Sequence, residues 1–127
     1  MNTMPLKKEE YTIKTSTVPN SGKGVFTKVD LSKGFTIGNY MGRKLNVMQY
    51  NNLKNDNYVW ELSSSHGPFY IDASIKKYSN WLRYINHKSD NKENLEPYQY
   101  SGNLYYRTTK KIKKGSELFI DYGDEYW

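Results

Sequence analysis

The chain has 127 residues, enough to bury one modest core and too few for two. It carries a net charge of +6, 36% hydrophobic and 16% aromatic residues and no cysteine, with a mean hydropathy of -0.92. This composition excludes disulfide and thiolate chemistry and offers no apolar run near the roughly 18 residues a membrane span needs. Two histidines, His66 and His87, cannot build a structural zinc site of the usual type without thiolates.

Residues 1–10 are polar and basic without an apolar stretch, so they read as a flexible N-terminal arm and not as a secretory signal, ahead of a single domain over 11–127. Residues 11–15 alternate as a strand, and a Pro19, Asn20, Ser21, Gly22 turn leads into another over 24–27. Further strands are predicted over 35–40 and 42–45, with tight bends at Gly38 and Gly42. Asn46 can cap a short helix running through Leu53, with Val47, Tyr50 and Leu53 on one face.

Strands over 58–62 and 69–71 flank a turn over 63–68, and a weaker helical period covers 76–84. The polar run 88–97 reads as a loop. Strands over 98–100, 104–112 and 117–120 close the chain, with Gly102 and Gly115 at the turns. Lys110, Lys111, Lys113 and Lys114 read as a solvated turn. Many short strands and few helices predict a mostly β fold.

Three short motifs carry chemistry. Gly22, Lys23 and Gly24 would let main chain come close to a ligand, although a turn entering a strand has the same pattern. Asn86 offers a donor and an acceptor suited to an amino-acid tail, and His87 can serve an adenine edge; a loop cap and a surface histidine are the plainer alternative. Arg83, just before them, is expected to form a structural ion pair. The third motif runs over 117–127, ELFIDYGDEYW, an aromatic strand that ends at Gly123.

In this order and at this spacing, the three motifs resemble those of SET-domain protein-lysine methyltransferases. Trp81 to Tyr84, the long loop after His87 with Asn94 and Leu95, the run Tyr105, Tyr106, Arg107, Thr108, and Tyr122 to Tyr126 resemble the PR/SET subfamily in particular. The bare domain is also similar to small stand-alone SET proteins of large DNA viruses. Where the common pattern continues as Ser-Cys-x-Pro-Asn, this chain departs to Lys88, Ser89, Asp90, Asn91.

The resemblance implies a SET β-clip of small curved sheets with short helices and a threaded C-terminal segment. It implies S-adenosyl-L-methionine as methyl donor, bound by Gly22, Lys23, Gly24, Asn86, His87 and Tyr122, and no metal. Tyr122, Tyr106 and Tyr40 would be the catalytic tyrosines of a narrow lysine channel. Ile120, Tyr126 and Trp127 would line its substrate side, the last two closing it where many relatives use a cysteine-rich zinc module. The implied partner is a histone tail or another lysine-bearing protein at nuclear chromatin, or in the host nucleus for a viral source. The basic charge, with a pI near 9.3, suits contact with nucleosomal DNA and repels a basic tail at long range. A homodimer and a monomer are both compatible with the sequence, and no membrane partner is expected.

The target lysine must lose its proton before attack. Its ordinary pKa of about 10.4 is lowered by desolvation and by the approaching sulfonium, while a phenol of pKa about 10 is a poor base near neutrality. Tyr122 is therefore expected to aim the amine and leave the proton to water. Ile120 lacks a hydroxyl that could hold a water against the amine, so di- or trimethyl-lysine is the expected product. Two other readings compete: a PR/SET-like domain that binds proteins without catalysis, and a basic β domain that stacks nucleic-acid bases on its tyrosines.

Overall fold

The computed structural model describes residues 5–123. In chain order the strands are β1 (Tyr11–Thr15), β2 (Lys23–Thr27), β3 (Thr36–Asn39), β4 (Arg43–Leu45), β5 (Val59–Leu62), β6 (Phe69–Asp72), β7 (Asn86–His87), β8 (Leu95–Tyr100), β9 (Asn103–Thr108) and β10 (Phe119–Ile120), with one short helix α1 (Val47–Asn51). They form a β1-β2 hairpin, a three-stranded sheet ordered β4-β6-β5 and a five-stranded sheet ordered β3-β9-β8-β10-β7. The mostly β architecture with few short helices agrees with the fold class expected from the sequence.

The five-stranded sheet contains the threading. β10 runs parallel to both of its neighbours, with Phe119 opposite Asn86 and Ile120 opposite His87 and Leu95. The connection between β7 and β8 hydrogen-bonds to β10 at both ends, through Lys88 N–H to Ile120 O at 3.2 Å and Asn94 N–H to Phe119 O at 3.1 Å. The C-terminal segment thus passes between two strands formed earlier in the chain.

Alternation explains the buried faces. β9 turns Leu104, Tyr106 and Thr108 inward, and Leu95, Leu118, Ile120, Leu82 and Ile85 complete one continuous core around them. Tyr11 stacks on Trp81 at 4.0 Å, tying the hairpin to the middle of the chain.

Several elements differ from the sequence expectations. The arm expected over 1–10 does not extend to Leu6, which is buried and donates its N–H to Ile37 O at 3.0 Å. Lys8–Glu10 form a 3-10 turn, with the Glu10 carboxylate accepting from Lys7 N–H at 2.8 Å. α1 stops short of Leu53. Asn46 and Gln49 close a reciprocal capping box at its start, but Val47 stays exposed, and of the predicted face Tyr50 packs by stacking on Tyr70 at 4.1 Å.

The helical period over 76–84 resolves into two 3-10 turns, Lys76–Tyr78 and Trp81–Tyr84. Asn80 is extended between them, and its side chain accepts from Leu82 N–H at 3.3 Å, which starts the second turn afresh. β8 begins at Leu95, inside the run read as loop. β9 ends at Thr108 and not at Ile112, because Ile112 bridges Leu31 and leaves 109–111 to turn; the lysines at 110, 111, 113 and 114 are exposed there.

Candidate functional site

The site is assembled where β2, β7 and β10 meet. Parallel pairing of β10 with β7 carries the chain past His87, and two residues beyond Ile120 the N–H of Tyr122 donates to His87 Nδ1 at 2.9 Å. The Tyr122 ring lies on the imidazole with centroids 5.1 Å apart and planes 17° apart. Its hydroxyl donates to Ile85 O at 3.1 Å. Main chain fixes this tyrosine at one end and its own phenol fixes it at the other. An accepting Nδ1 places the proton of a neutral His87 on Nε2. Asp121 Oδ1 accepts from Gly123 N–H at 2.8 Å, stabilising the turn at Gly123, whose φ is 85°.

The glycine turn joins this pair through Asn86, whose Nδ2 donates to Lys23 O at 3.0 Å. Gly22 adopts a φ of 66°, a left-handed conformation that suits glycine. Lys23 points its side chain to solvent, so its carbonyl is the engaged group. Gly24 is buried, and a Cβ there would overlap Glu117 Oε2.

Glu117 is the residue the sequence reading passed over. Its buried carboxylate accepts from Thr17 N–H at 2.8 Å, Thr17 Oγ1 at 2.6 Å, Ser16 Oγ at 2.7 Å and Asn86 Nδ2 at 3.4 Å. Burial pushes this carboxyl up, but the hydrogen bonds from Thr17, Ser16 and Asn86 together outweigh it and hold the group below its ordinary value. An acid separated by about a hundred residues from Ser16 and Thr17 gives no signal in sequence spacing.

The tyrosine wall is built by the residue that follows β3 and by β5 and β9. Tyr40 and Tyr106 are buried and stacked at 5.5 Å, and Tyr40 OH donates to Tyr58 O at 2.9 Å. Trp60 links them to Tyr122. Its Nε1–H donates to Tyr106 OH at 2.8 Å, and its ring stands edge-on to Tyr106 at 6.1 Å and to Tyr122 at 5.5 Å. Trp60 was legible only as a strand residue, since the register that brings β5 beside Tyr122 is tertiary.

Outside this wall lies a cleft of about 310 Å³ lined by Tyr122, Trp60, Tyr50, Tyr70, Asp56, Glu61 and their neighbours. Among the described residues no lysine or arginine lines it, although the chain as a whole is basic. Tyr50 OH donates to Asp56 Oδ2 at 3.0 Å. That hydrogen bond first, then burial and the neighbouring Asp56, Tyr70 and Glu61, raise the Tyr50 phenol above its ordinary value.

The remaining predicted residues fall as follows. Ile120 is fully buried between Leu95 and His87. Tyr126 and Trp127 lie outside the described residues. Arg83 does not form the expected ion pair among the described residues: it donates to Ala73 O at 2.9 Å and Ser74 O at 3.2 Å and lies over the Tyr58 ring, because the carbonyls after β6 face it.

Residues 11–127 match the family model described as PR domain zinc finger protein 2, PR domain. The chain is 36% identical over 117 residues to histone-lysine N-methyltransferase set-17 of Caenorhabditis elegans, covering 91% of this chain and 42% of that protein. It is 34% identical over 114 residues to histone-lysine N-methyltransferase PRDM7 of Homo sapiens, covering 87% of this chain and 23% of that protein. The chain therefore spans less than half the length of these relatives. Among solved structures, the methyltransferase domain of human PR domain-containing protein 2 superposes with a TM-score of 0.78 at 33% identity, covering 92% of this chain and 79% of that one. A polycomb complex, ctPRC2 in an autoinhibited conformation bound to S-adenosylmethionine, gives 0.75 at 27% identity over 90% of this chain and 15% of that one.

Proposed function

The chain belongs to the PR/SET domain family, and we infer from that membership and from the site's geometry that it is a protein-lysine N-methyltransferase acting on a histone-tail lysine with S-adenosyl-L-methionine as donor. One observation carries the reading: Tyr122 is held by His87 and Ile85, and Asn86, next to His87 in the chain, reaches the glycine turn with its side chain. The relatives named above are animal proteins, and the resemblance to viral SET proteins finds no support among them.

The residues fit the donor. A left-handed glycine, the main chain at Lys23, the Asn86 amide and the His87 imidazole supply close-approaching backbone, amide polarity and a flat ring within one neighbourhood. When bound there, S-adenosyl-L-methionine supplies the electrophilic methyl. Tyr122 supplies direction. Its hydroxyl donates to Ile85 O, and a phenol oxygen that donates can also accept from the N–H of an incoming amine. That arrangement orients the amine for linear attack and does not take its proton.

The acidic cleft supports a basic segment as substrate. β5 lies at the edge of its sheet, where an extended peptide can add as a further strand, and Asp56 and Glu61 offset locally the repulsion that the basic chain exerts on a cationic tail. The exposed lysines over 110–114 suit contact with nucleosomal phosphate. A histone substrate places the activity at chromatin in the nucleus. The double substitution Asp56→Asn with Glu61→Gln is expected to raise the tail-peptide KM by about fivefold, the scale of exposed ion pairs, with donor KM unmoved. Steady-state kinetics with an unchanged peptide KM would exclude this docking.

Ile120 bears on product state. With no hydroxyl at that buried position to hold a water against the amine, successive transfers to di- or trimethyl-lysine are expected. Intact-mass analysis that finds monomethyl product alone would contradict this. The whole reading is tested by incubating the protein with labelled donor and separated core histones, then mapping the modified lysine. Donor binding without transfer to any histone would favour the non-catalytic interaction domain instead.

A further inference from the structure

We propose that Glu117 is a positioning residue of the donor site, acting through Asn86 and the glycine turn; the proposal rests on the methyltransferase reading above. A buried carboxylate is costly unless its lone pairs are satisfied, and here each oxygen has two donors. Oε1 takes the N–H and hydroxyl of Thr17, and Oε2 takes Ser16 Oγ and Asn86 Nδ2. One side chain therefore ties together the C-terminal segment, the loop after β1 and the central asparagine.

Two features point from this clamp to the donor. Asn86 Nδ2 is shared between Lys23 O and Glu117 Oε2, so the clamp sets the orientation of the Asn86 amide relative to the turn. A Cβ on Gly24 would overlap Glu117 Oε2, so the glycine makes the room that the carboxylate occupies. Glu117 and Gly24 are thus one device, and the main chain from Gly22 to Gly24 takes its position from the carboxylate beneath it. Glutamine cannot replace this arrangement. A carboxylate only accepts, whereas an amide turned either way presents its NH2 group to a donor from Thr17 or from Ser16 and Asn86.

The test compares the wild-type chain with Glu117→Gln and Thr17→Val by calorimetric titration of S-adenosyl-L-methionine and by steady-state kinetics. Glu117→Gln is expected to raise the donor Kd and donor KM about tenfold or more, with the peptide KM unmoved and kcat falling less than donor KM rises. Thr17→Val, which keeps the carboxylate and removes one hydroxyl donor, is expected to raise the donor Kd about threefold. A folded Glu117→Gln protein with wild-type donor affinity overturns the proposal. Should that variant fail to fold, an unchanged donor Kd in Thr17→Val overturns it instead. A wild-type chain that binds no donor overturns the methyltransferase reading and this inference together, whereas wild-type binding that both variants share overturns this inference alone.

Discussion

Tyr122→Phe is expected to lower kcat by about a hundredfold or more while moving the melting temperature by only a few degrees. The main-chain contact to His87 Nδ1 survives the change, as do the ring contacts to His87 and Trp60. What is lost is the phenol: one hydrogen bond to Ile85 O, worth about 1 kcal/mol of stability, and the oxygen that would accept from the attacking amine. Misdirection of a nucleophile at such a point costs on the order of 10²-fold. Single-turnover kinetics at saturating donor isolates the transfer step, and a rate near that of the wild type would remove Tyr122 from the mechanism.

The same tyrosine shows how far the sequence alone could be read. Its place in a SET-like motif was legible because Tyr122 and Gly123 sit in a fixed local order, and so was the Asn86-His87 pair. The contact between them depends on β10 entering between β7 and β8, a parallel, long-range pairing of two residues that leaves no periodicity in the chain. β8 was missed in its first half for a related reason. Pro97 argues against a strand, yet β10 pairs with β8 at Leu95 alone, so beyond that residue the second side of β8 is an edge on which a missing N–H is tolerated.

Side chains whose partners are remote were harder still. Glu117 read as one acid in an alternating strand and Trp60 as one aromatic in another, and both are given their roles by neighbours that only folding supplies. Leu6 was grouped with a polar arm because a single apolar residue has no pattern, although it reaches the core beside Ile37. Conversely, Gly38 and Gly42 were read as tight bends, and at Gly42 a close approach of main chain adds a second need.

Gly42→Ala is expected to destabilise the fold by about 3 kcal/mol, at the upper end of ordinary overpacking, because the added methyl meets backbone and has no side chain to push aside. Its Cβ would overlap Asp72 O and lie 2.6 Å from Asp72 C and 2.9 Å from Ala73 N. The strand pair β4-β6, which places Arg43 opposite Asp72, must then open. The displacement reaches the site, since Ala73 N–H donates to Tyr58 O at 3.0 Å and that same carbonyl accepts from Tyr40 OH. A shift of Ala73 loosens the anchor of the Tyr40-Tyr106 stack and, through Trp60, the wall beside Tyr122. For a domain of this size the melting temperature should fall by roughly 10 °C, and kcat should fall with it below the transition, where the protein remains folded. Thermal unfolding within about 2 °C of the wild type would mean that β4 and β6 can part without cost, and the coupling of this bend to the tyrosine wall would then have no physical basis.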